Sequence, residues 1–312
     1  MRLLAVLLAA AVVVGTAAGA RHAGRPKALL TFTLGPREDP DNGQYIVCSL
    51  QAGGSAVRLL PDDVSATSPW WSPDGTRLAF TSLRVPPPFA SADEADIMVA
   101  GAAGNLVANL TAGTAHNNYI PRWSSDGRWI AYGSTGLKPR IVRADGSAPP
   151  RTIPVKDSAG DVDWFPDGKR LVVSRFVKDD VWLYSVKPNG TGLRRLMRGT
   201  EPDVSPNGKK LAFSRRTGRF SRVYVANADG SHVHRLTRGS KPESQAAWSP
   251  DGRWIAFIRV LNPASFDTET SIVVTSADGK ASYTAVTPTA EYDPLQPTWR
   301  AQPLPDANRA SC

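Results

Sequence analysis

Carboxylates recur at matched places in this chain. Asp161 and Asp163 stand three and one residues before Trp164, and Glu201 and Asp203 stand three and one before Val204. Glu243 precedes Trp248 by five residues and Asp293 precedes Trp299 by six. Carboxylates gathered like this have several chemical uses. They supply hard oxygen ligands for Ca²⁺, receive a basic group of a partner, or flank a glycosidic bond as an acid and base pair. Asp also caps turns and pairs with arginine, and that structural use is the commoner one. TSPWW and HNNYIPRW place Trp70, His116, Tyr119 and Arg122 close to equivalent positions. The candidate binding set is therefore Trp70, His116, Tyr119, Arg122, Asp161, Asp163, Glu201, Asp203, Glu243 and Asp293. Asp161, Asp163, Glu201 and Asp203 are the candidates for a metal, with Ca²⁺ the ion their oxygens would suit.

Other chemistry is thinner. The histidines are His22, His116, His232 and His234. His232 and His234 are two apart and would share a face of one strand, but no third ligand accompanies them. No G-x-S-x-G nucleophile motif occurs. No catalytic set assembles from the sequence, so the chain reads as a binder rather than an enzyme. Of nine tryptophans, five occupy a repeated position and Trp129 and Trp254 fall in strand-like runs, which makes them core candidates.

These side chains need elements to hold them, and the elements repeat. WSPDGTRLAF at 71 returns as WSSDGRWIAY at 123, WFPDGKRLVV at 164, VSPNGKKLAF at 204 and WSPDGRWIAF at 248, with a fragment, PTWR, near the end. The Trp positions 71, 123, 164, 204, 248 and 299 are separated by 52, 41, 40, 44 and 51 residues. A period of about 40–50 residues points to a propeller or a solenoid, and short β-rich runs split by Gly, Pro, Asn and Asp choose the propeller. In each unit a short extended run reaches the Trp, Ser-Pro-Asp-Gly turns the chain, and a second strand follows. After a variable loop comes a third strand, a second turn such as ADGS at 144–147, and a fourth strand. Four antiparallel strands make a blade. The last unit has only its first strand, while ALLTFTL (28–34), QYIVCSL (44–50) and VRLL (57–60) supply three more at the other end. The expected fold is all-β: a six-bladed propeller closed by a C-terminal innermost strand joining three N-terminal strands. Loops before the first strands, with the long loops 82–95 and 259–270, would form a contact face at the channel mouth.

The same parse brings Cys48 and Cys312 to one face, where a dozen residues of tail can cross two strands, so a Cys48–Cys312 disulfide is expected to latch the ring. Residues 1–20, a basic start followed by an apolar run and Ala18-Gly19-Ala20, read as a secretory signal peptide. That assigns 21–27 to a short linker, 28–300 to the propeller and 301–312 to a C-terminal tail. No later segment is long and apolar enough to span a membrane. The formal charge is +9, and the stretch from Lys138 to Lys241 holds 22 Lys and Arg against 10 Asp and Glu, leaving −3 for the rest. In an exported chain a basic third of this kind suits anionic surface polymers, lipid headgroups or an acidic protein, not nucleic acid.

The P-x-W-S-P-D-G-x-x-[IL]-A-F block, with its ADG turn and R-L-T, resembles the β-propeller repeat of the TolB family over roughly 28–300. The repeat is shared with propellers of prolyl-oligopeptidase-type enzymes and of oligogalacturonate lyases. The resemblance covers the propeller only: bacterial TolB carries an N-terminal α/β domain, and here few residues separate Ala20 from the first blade. It implies a scaffold used for many tasks. The expected function is an exported, monomeric protein-binding or scaffold module of the cell envelope or extracellular space. The alternative is a carbohydrate-binding or metal-assisted lyase or hydrolase propeller using the acidic channel mouth.

Overall fold

A computed structural model describes residues 26–37, 43–51, 54–84, 95–114, 116–136, 138–264, 269–305 and 309–312. The leader-like segment 1–20, most of the linker 21–27 and residues 85–94 and 265–268 of the two long loops lie outside the described residues.

The local rule that builds the blades is visible in the first turn. Asp74 Oδ1 accepts the backbone N–H of Thr76 at 3.0 Å and the Ser72 hydroxyl at 2.6 Å, while Ser72 Oγ accepts the N–H of Arg77 at 2.9 Å. Gly75 sits at φ 68°, where a Cβ would be strained. Ser124 with Asp126, and Ser249 with Asp251, repeat the set. In the divergent copy Asn207 Oδ1 takes the N–H of Lys209 at 3.0 Å, so the loss of the charge leaves the turn intact.

Four strands follow each such start. Blade one is β4 (Ser65–Trp71), β5 (Arg77–Arg84), β6 (Ile97–Gly101) and β7 (Leu106–Asn109). Blade two is β8 (Asn118–Trp123), β9 (Trp129–Ser134), β10 (Arg140–Arg143) and β11 (Arg151–Thr152). Blade three is β12 (Ser158–Trp164), β13 (Leu171–Val177), β14 (Asp180–Val186) and β15 (Arg194–Arg198). Blade four is β16 (Thr200–Val204), β17 (Lys210–Thr217), β18 (Phe220–Asn227) and β19 (His234–Arg235). Blade five is β20 (Glu243–Trp248), β21 (Trp254–Val260), β22 (Thr270–Ser276) and β23 (Ser282–Val286). The sixth, composite blade is ordered β24-β1-β2-β3, from Tyr292–Arg300, Leu29–Pro36, Ile46–Leu50 and Ala56–Arg58. All six sheets are four-stranded and antiparallel, as the repeat predicts.

The core lies between blades, and the repeated Trp is its wedge. Trp71 packs with Val47 of the composite blade, Trp123 with Ala79 and Ile97 of blade one, and Trp164 with Ala131 and Ile141 of blade two. Trp248 packs with Ala212 and Val223 of blade four, and Trp299 with Ala256 and Ile272 of blade five. Burying one such ring is worth roughly 4–6 kcal/mol of transfer energy. Arg300 lies over the Trp71 ring at 4.6 Å and donates to the Gly75 carbonyl at 2.7 and 3.1 Å, tying the closing strand to blade one.

Cys48 and Cys312 form the disulfide, with Cα atoms 6.3 Å apart. The tail does more than cross the sheet. Ser311 bridges Val57, Arg58 donates its N–H to Ala310 at 2.9 Å, and Cys312 donates its N–H to Ala56 at 3.1 Å. It thus covers the outer edge of β3, an edge that would otherwise stay unpaired.

Three details differ from the sequence reading. Strand β5 continues to Arg84 and β21 to Val260, inside segments read as loops. His232 is not in β19: it turns at φ 53° and bonds Asn227 at 2.9 Å, so it shares no strand face with His234. Asp161, Asp163, Glu201, Asp203, Glu243 and Asp293 lie within the innermost strands, not in the loops before them, because each of those strands starts earlier than its Trp-proximal hydrophobic run suggests.

Candidate functional site

The channel is built by one irregularity used repeatedly. Pairing of each innermost strand with its neighbour slips between Thr67 and Trp70, Tyr119 and Arg122, Ser158 and Val162, Thr200 and Asp203, Ser244 and Ala247, and opposite Thr31 and Thr33. Ser68 (φ 53°), Ile120 (56°), Glu201 (50°), Gln245 (55°) and Gln296 (49°) take the left-handed conformation at these bulges. Proline follows at 69, 121, 202 and 297. Left-handed backbone costs a non-glycine residue about 1–2 kcal/mol, and Ile120, which is β-branched, least tolerates it.

The seams between blades offset that cost. Asp161 Oδ2 accepts the N–H of Glu201 at 3.0 Å, and Glu201 Oε2 accepts the N–H of Gln245 at 3.0 Å. Gln245 Oε1 accepts the N–H of Gln296 at 3.2 Å, and Gln296 Oε1 accepts the N–H of Ser68 at 2.6 Å. The chain of donors is completed from second strands, by Thr81 Oγ1 for Ile120 and Ser174 Oγ for Asp161, both at 3.1 Å. A second tier lies two residues on, where Asp163 Oδ2 takes the N–H of Val204 at 2.8 Å and Asp203 Oδ2 that of Trp248 at 2.7 Å. Four of the candidate carboxylates therefore already hold neighbouring blades together.

Two cavities follow the tiers. One of about 60 Å³ is lined by Ser68, Trp70, Ile120, Arg122, Asp161, Glu201, Gln245 and Gln296, so all six blades contribute. The other, about 240 Å³, opens among the Ser-Pro-Asp-Gly turns and is lined by the five repeated tryptophans with Asp163 and Asp203. Trp70 borders both.

Arg122 places its guanidinium 3.8 Å from the centroid of the Trp70 ring. Its Nη1 donates to the Pro121 carbonyl at 3.1 Å, and its buried Nε has no hydrogen-bond partner. Burial pushes this guanidinium down, while Asp163, Asp203, Asp161 and Glu201 pull it back up. Burial likewise pushes the four carboxyls up, Asp163 to about 6 and Asp203 well above its ordinary range, the latter helped by the neighbouring Asp163 charge. The site combines one cation stacked on an indole with carboxyl groups that gain protons readily.

The remaining candidates are elsewhere. Glu243 is buried and receives Arg259 Nη2 at 2.8 Å and the Thr237 hydroxyl. Asp293 accepts the N–H of Thr270 at 2.9 Å and faces Arg37 Nε at 3.9 Å. The Tyr119 hydroxyl donates to the Ser134 carbonyl at 3.0 Å, and burial first, then Asp161, pushes the phenol up. His116 is exposed on the preceding loop. Among the described residues, no three His, Cys, Asp or Glu side chains come together as a metal-ligating group. Sequence reasoning missed Ser68, Ile120, Gln245 and Gln296. The signal was the residue three before each Trp position, often followed by Pro, as in SPWW, IPRW and QPTW.

A family model described as the TolB beta propeller domain matches residues 97–299. Among curated proteins, the chain is 34% identical over 108 residues to Tricorn protease homolog 1 of Streptomyces coelicolor, covering 33% of this chain and 9% of that protein. It is 33% identical over 142 residues to an uncharacterized protein of Agrobacterium fabrum, covering 41% of this chain and 44% of the other. Among solved structures, TolB from Acinetobacter baumannii superposes with a TM-score of 0.70 at 18% identity, over 88% of this chain and 66% of that one. The chain thus spans less than half the length of either curated relative, and the structural likeness shows the fold.

Proposed function

Because the chain belongs to the TolB β-propeller domain family, we propose that it is an exported binding module that holds a segment of a protein partner at the channel. The observation that carries this reading is the division of labour around the cavity. The seam carboxylates spend an oxygen each on a neighbouring blade, whereas Arg122 and Trp70 face a cavity lined from every blade, with Arg122 Nε unpaired. A disulfide between Cys48 and Cys312 supports an oxidising compartment. The leader-like 1–20 segment supports export to the envelope or extracellular space.

The test is site-specific photo-cross-linking in cells that make the protein. A photoreactive residue replaces Ser68 in one version and Arg128, on the turn face, in another. The expected result is a discrete, saturable protein adduct from position 68 that disappears in the Trp70→Ala/Arg122→Ala variant while its circular dichroism is unchanged. Equal adducts from both positions, or an adduct that survives the double substitution, would sink the proposal.

A second reading, a carbohydrate binder or metal-assisted lyase or hydrolase, draws on Asp163 and Asp203, a carboxyl pair whose pKa values are pushed up together. Binding or turnover of acidic oligosaccharides that is lost on chelation, and lost again in Asp163→Asn, would favour it.

A further inference from the structure

The positive excess of the chain has a sharper location than its middle third. Between Asp203 and Asp229 there are six Lys and Arg residues and no Asp or Glu. Most of them fall on the β17–β18 hairpin, whose tip carries the exposed Arg216 and Arg219 and the half-buried Arg215, above the buried Arg222. Arg215 and Arg222 are direct cross-strand partners. Like charges opposite one another weaken a hairpin, so this placement asks for a compensating anion.

Among the described residues, no carboxylate forms an ion pair with Arg215, Arg216, Arg219 or Arg222. Arg216 Nε donates to the Gly218 carbonyl at 3.3 Å, and Arg222 donates to the carbonyls of Ser221 at 2.8 Å and Ser240 at 2.6 Å. Arg215 lies over Tyr224 at 5.5 Å and Arg219 over Phe220 at 5.4 Å. Nearby carboxylates are committed elsewhere: Asp157 to Arg175, Asp180 to Arg198 and Glu243 to Arg259. Arg238 and Lys241, both exposed, flank Ser240 and extend the basic rim.

An apolar element adjoins this charge. Phe176 is 45% exposed. On β13 it alternates with Val172, which packs toward blade four, and on β17 Arg215 alternates with Leu211 and Phe213, which pack toward blade three. Phe176 and Arg215 therefore flank one crevice between blades three and four, at the strand ends opposite the Ser-Pro-Asp-Gly turns. The basic groups occupy hairpin tips and a connecting loop on a single face. Such an array meets a surface, whereas a polymer strand would need donors along two walls of a groove.

We propose that the β17–β18 hairpin, with Arg238 and Lys241, docks the propeller onto the phosphate headgroups of an anionic phospholipid surface. The guanidinium forks match phosphate oxygens bidentately, and clustered Lys and Arg are the residues that anionic leaflets attract. Phe176 reaches the interfacial zone beside them. This surface shares no residue with the channel lining, so it stands whether or not the channel reading holds.

The test is co-sedimentation of the oxidised 21–312 chain, which contains all 24 strands and lacks the apolar leader-like run. The probes are vesicles of phosphatidylcholine alone or with roughly one-third phosphatidylglycerol. The expected result is binding to the anionic vesicles only, lost in high salt. Arg216→Glu/Arg219→Glu should weaken it at least ~30-fold. Lys169→Glu/Lys209→Glu, an equal charge change among the turns on the opposite face, should leave it within about twofold. Equal binding to both vesicles, equal loss in both variants, or binding only to soluble polyphosphate would each overturn the proposal. Glu at 216 and 219 adds negative charge beside the Arg215–Arg222 pair, which predicts that the Arg216→Glu/Arg219→Glu chain melts no lower than the parent, so a loss of binding is not a loss of fold.

Discussion

The Arg122 guanidinium lies over the Trp70 ring, 3.8 Å from its centroid, across the seam between blades one and two. It is the cation that Asp161, Asp163, Glu201 and Asp203 all act upon. Arg122→Ala should therefore destabilise the ring at neutral pH by about 1–3 kcal/mol, because it leaves buried carboxylates uncompensated. The loss should shrink near pH 5, where Asp163 takes up a proton and Asp203, raised well above its ordinary range, does so too. Thermal melts of parent and variant at both pH values check this; an equal loss at the two pH values would refute it.

Two sets of carboxyls give stability opposite slopes with pH. Asp163 and Asp203 have folded pKa values raised above 3.8. Folding then binds protons, and stability falls as pH rises from about 4 through about 6. The turn aspartates Asp74, Asp126 and Asp278 have folded values lowered from 3.8 by hydrogen bonds from a serine hydroxyl and backbone N–H groups, and Asp167 by the Lys169 N–H and Arg170. Their contribution is present above about pH 4 and is lost on acidification below it. Urea denaturation across pH 3–8 should show a maximum on the acidic side of neutrality. Asp163→Asn, which keeps an acceptor for the Val204 N–H, should flatten the neutral limb and leave the acid limb in place.

Removing the Cys48–Cys312 bond, by reduction or by Cys312→Ser, should cost about 2–4 kcal/mol. The six sheets do not depend on it, so far-ultraviolet circular dichroism should persist at room temperature. Hydrogen exchange should rise first at Arg58 and Cys312, the amides that pair tail and β3. Both cysteines should resist alkylation until reductant is added.

Gln296 joins two blades through one oxygen, accepting from Ser68 N–H at 2.6 Å and from the Thr33 hydroxyl at 3.2 Å. Gln296→Ala should cost about 1–3 kcal/mol, since it strands a partly buried donor at a left-handed residue. Gln296→Glu keeps the acceptor and should recover most of the loss. Equal destabilisation by the two substitutions would show that the seam bond is not what holds this position.

The sequence by itself determined the blades, their number, the closure by β24 and the cysteine pair. The physical reason is locality. A Ser-Pro-Asp-Gly turn is decided by φ preferences and by side-chain-to-backbone bonds spanning at most five residues, as in Ser72 to Arg77. Closure followed by counting strands, and the disulfide from where the ends of that count must meet. The use of the acidic residues was decided only by the tertiary structure. Asp161 meets the N–H of Glu201, 40 residues on, and Asp203 that of Trp248, 45 residues on. Those contacts exist only because blades of nearly one repeat each stand side by side in a closed ring. A carboxylate that reads as a ligand group along the chain becomes, across the seam, an acceptor for a backbone N–H of the next blade.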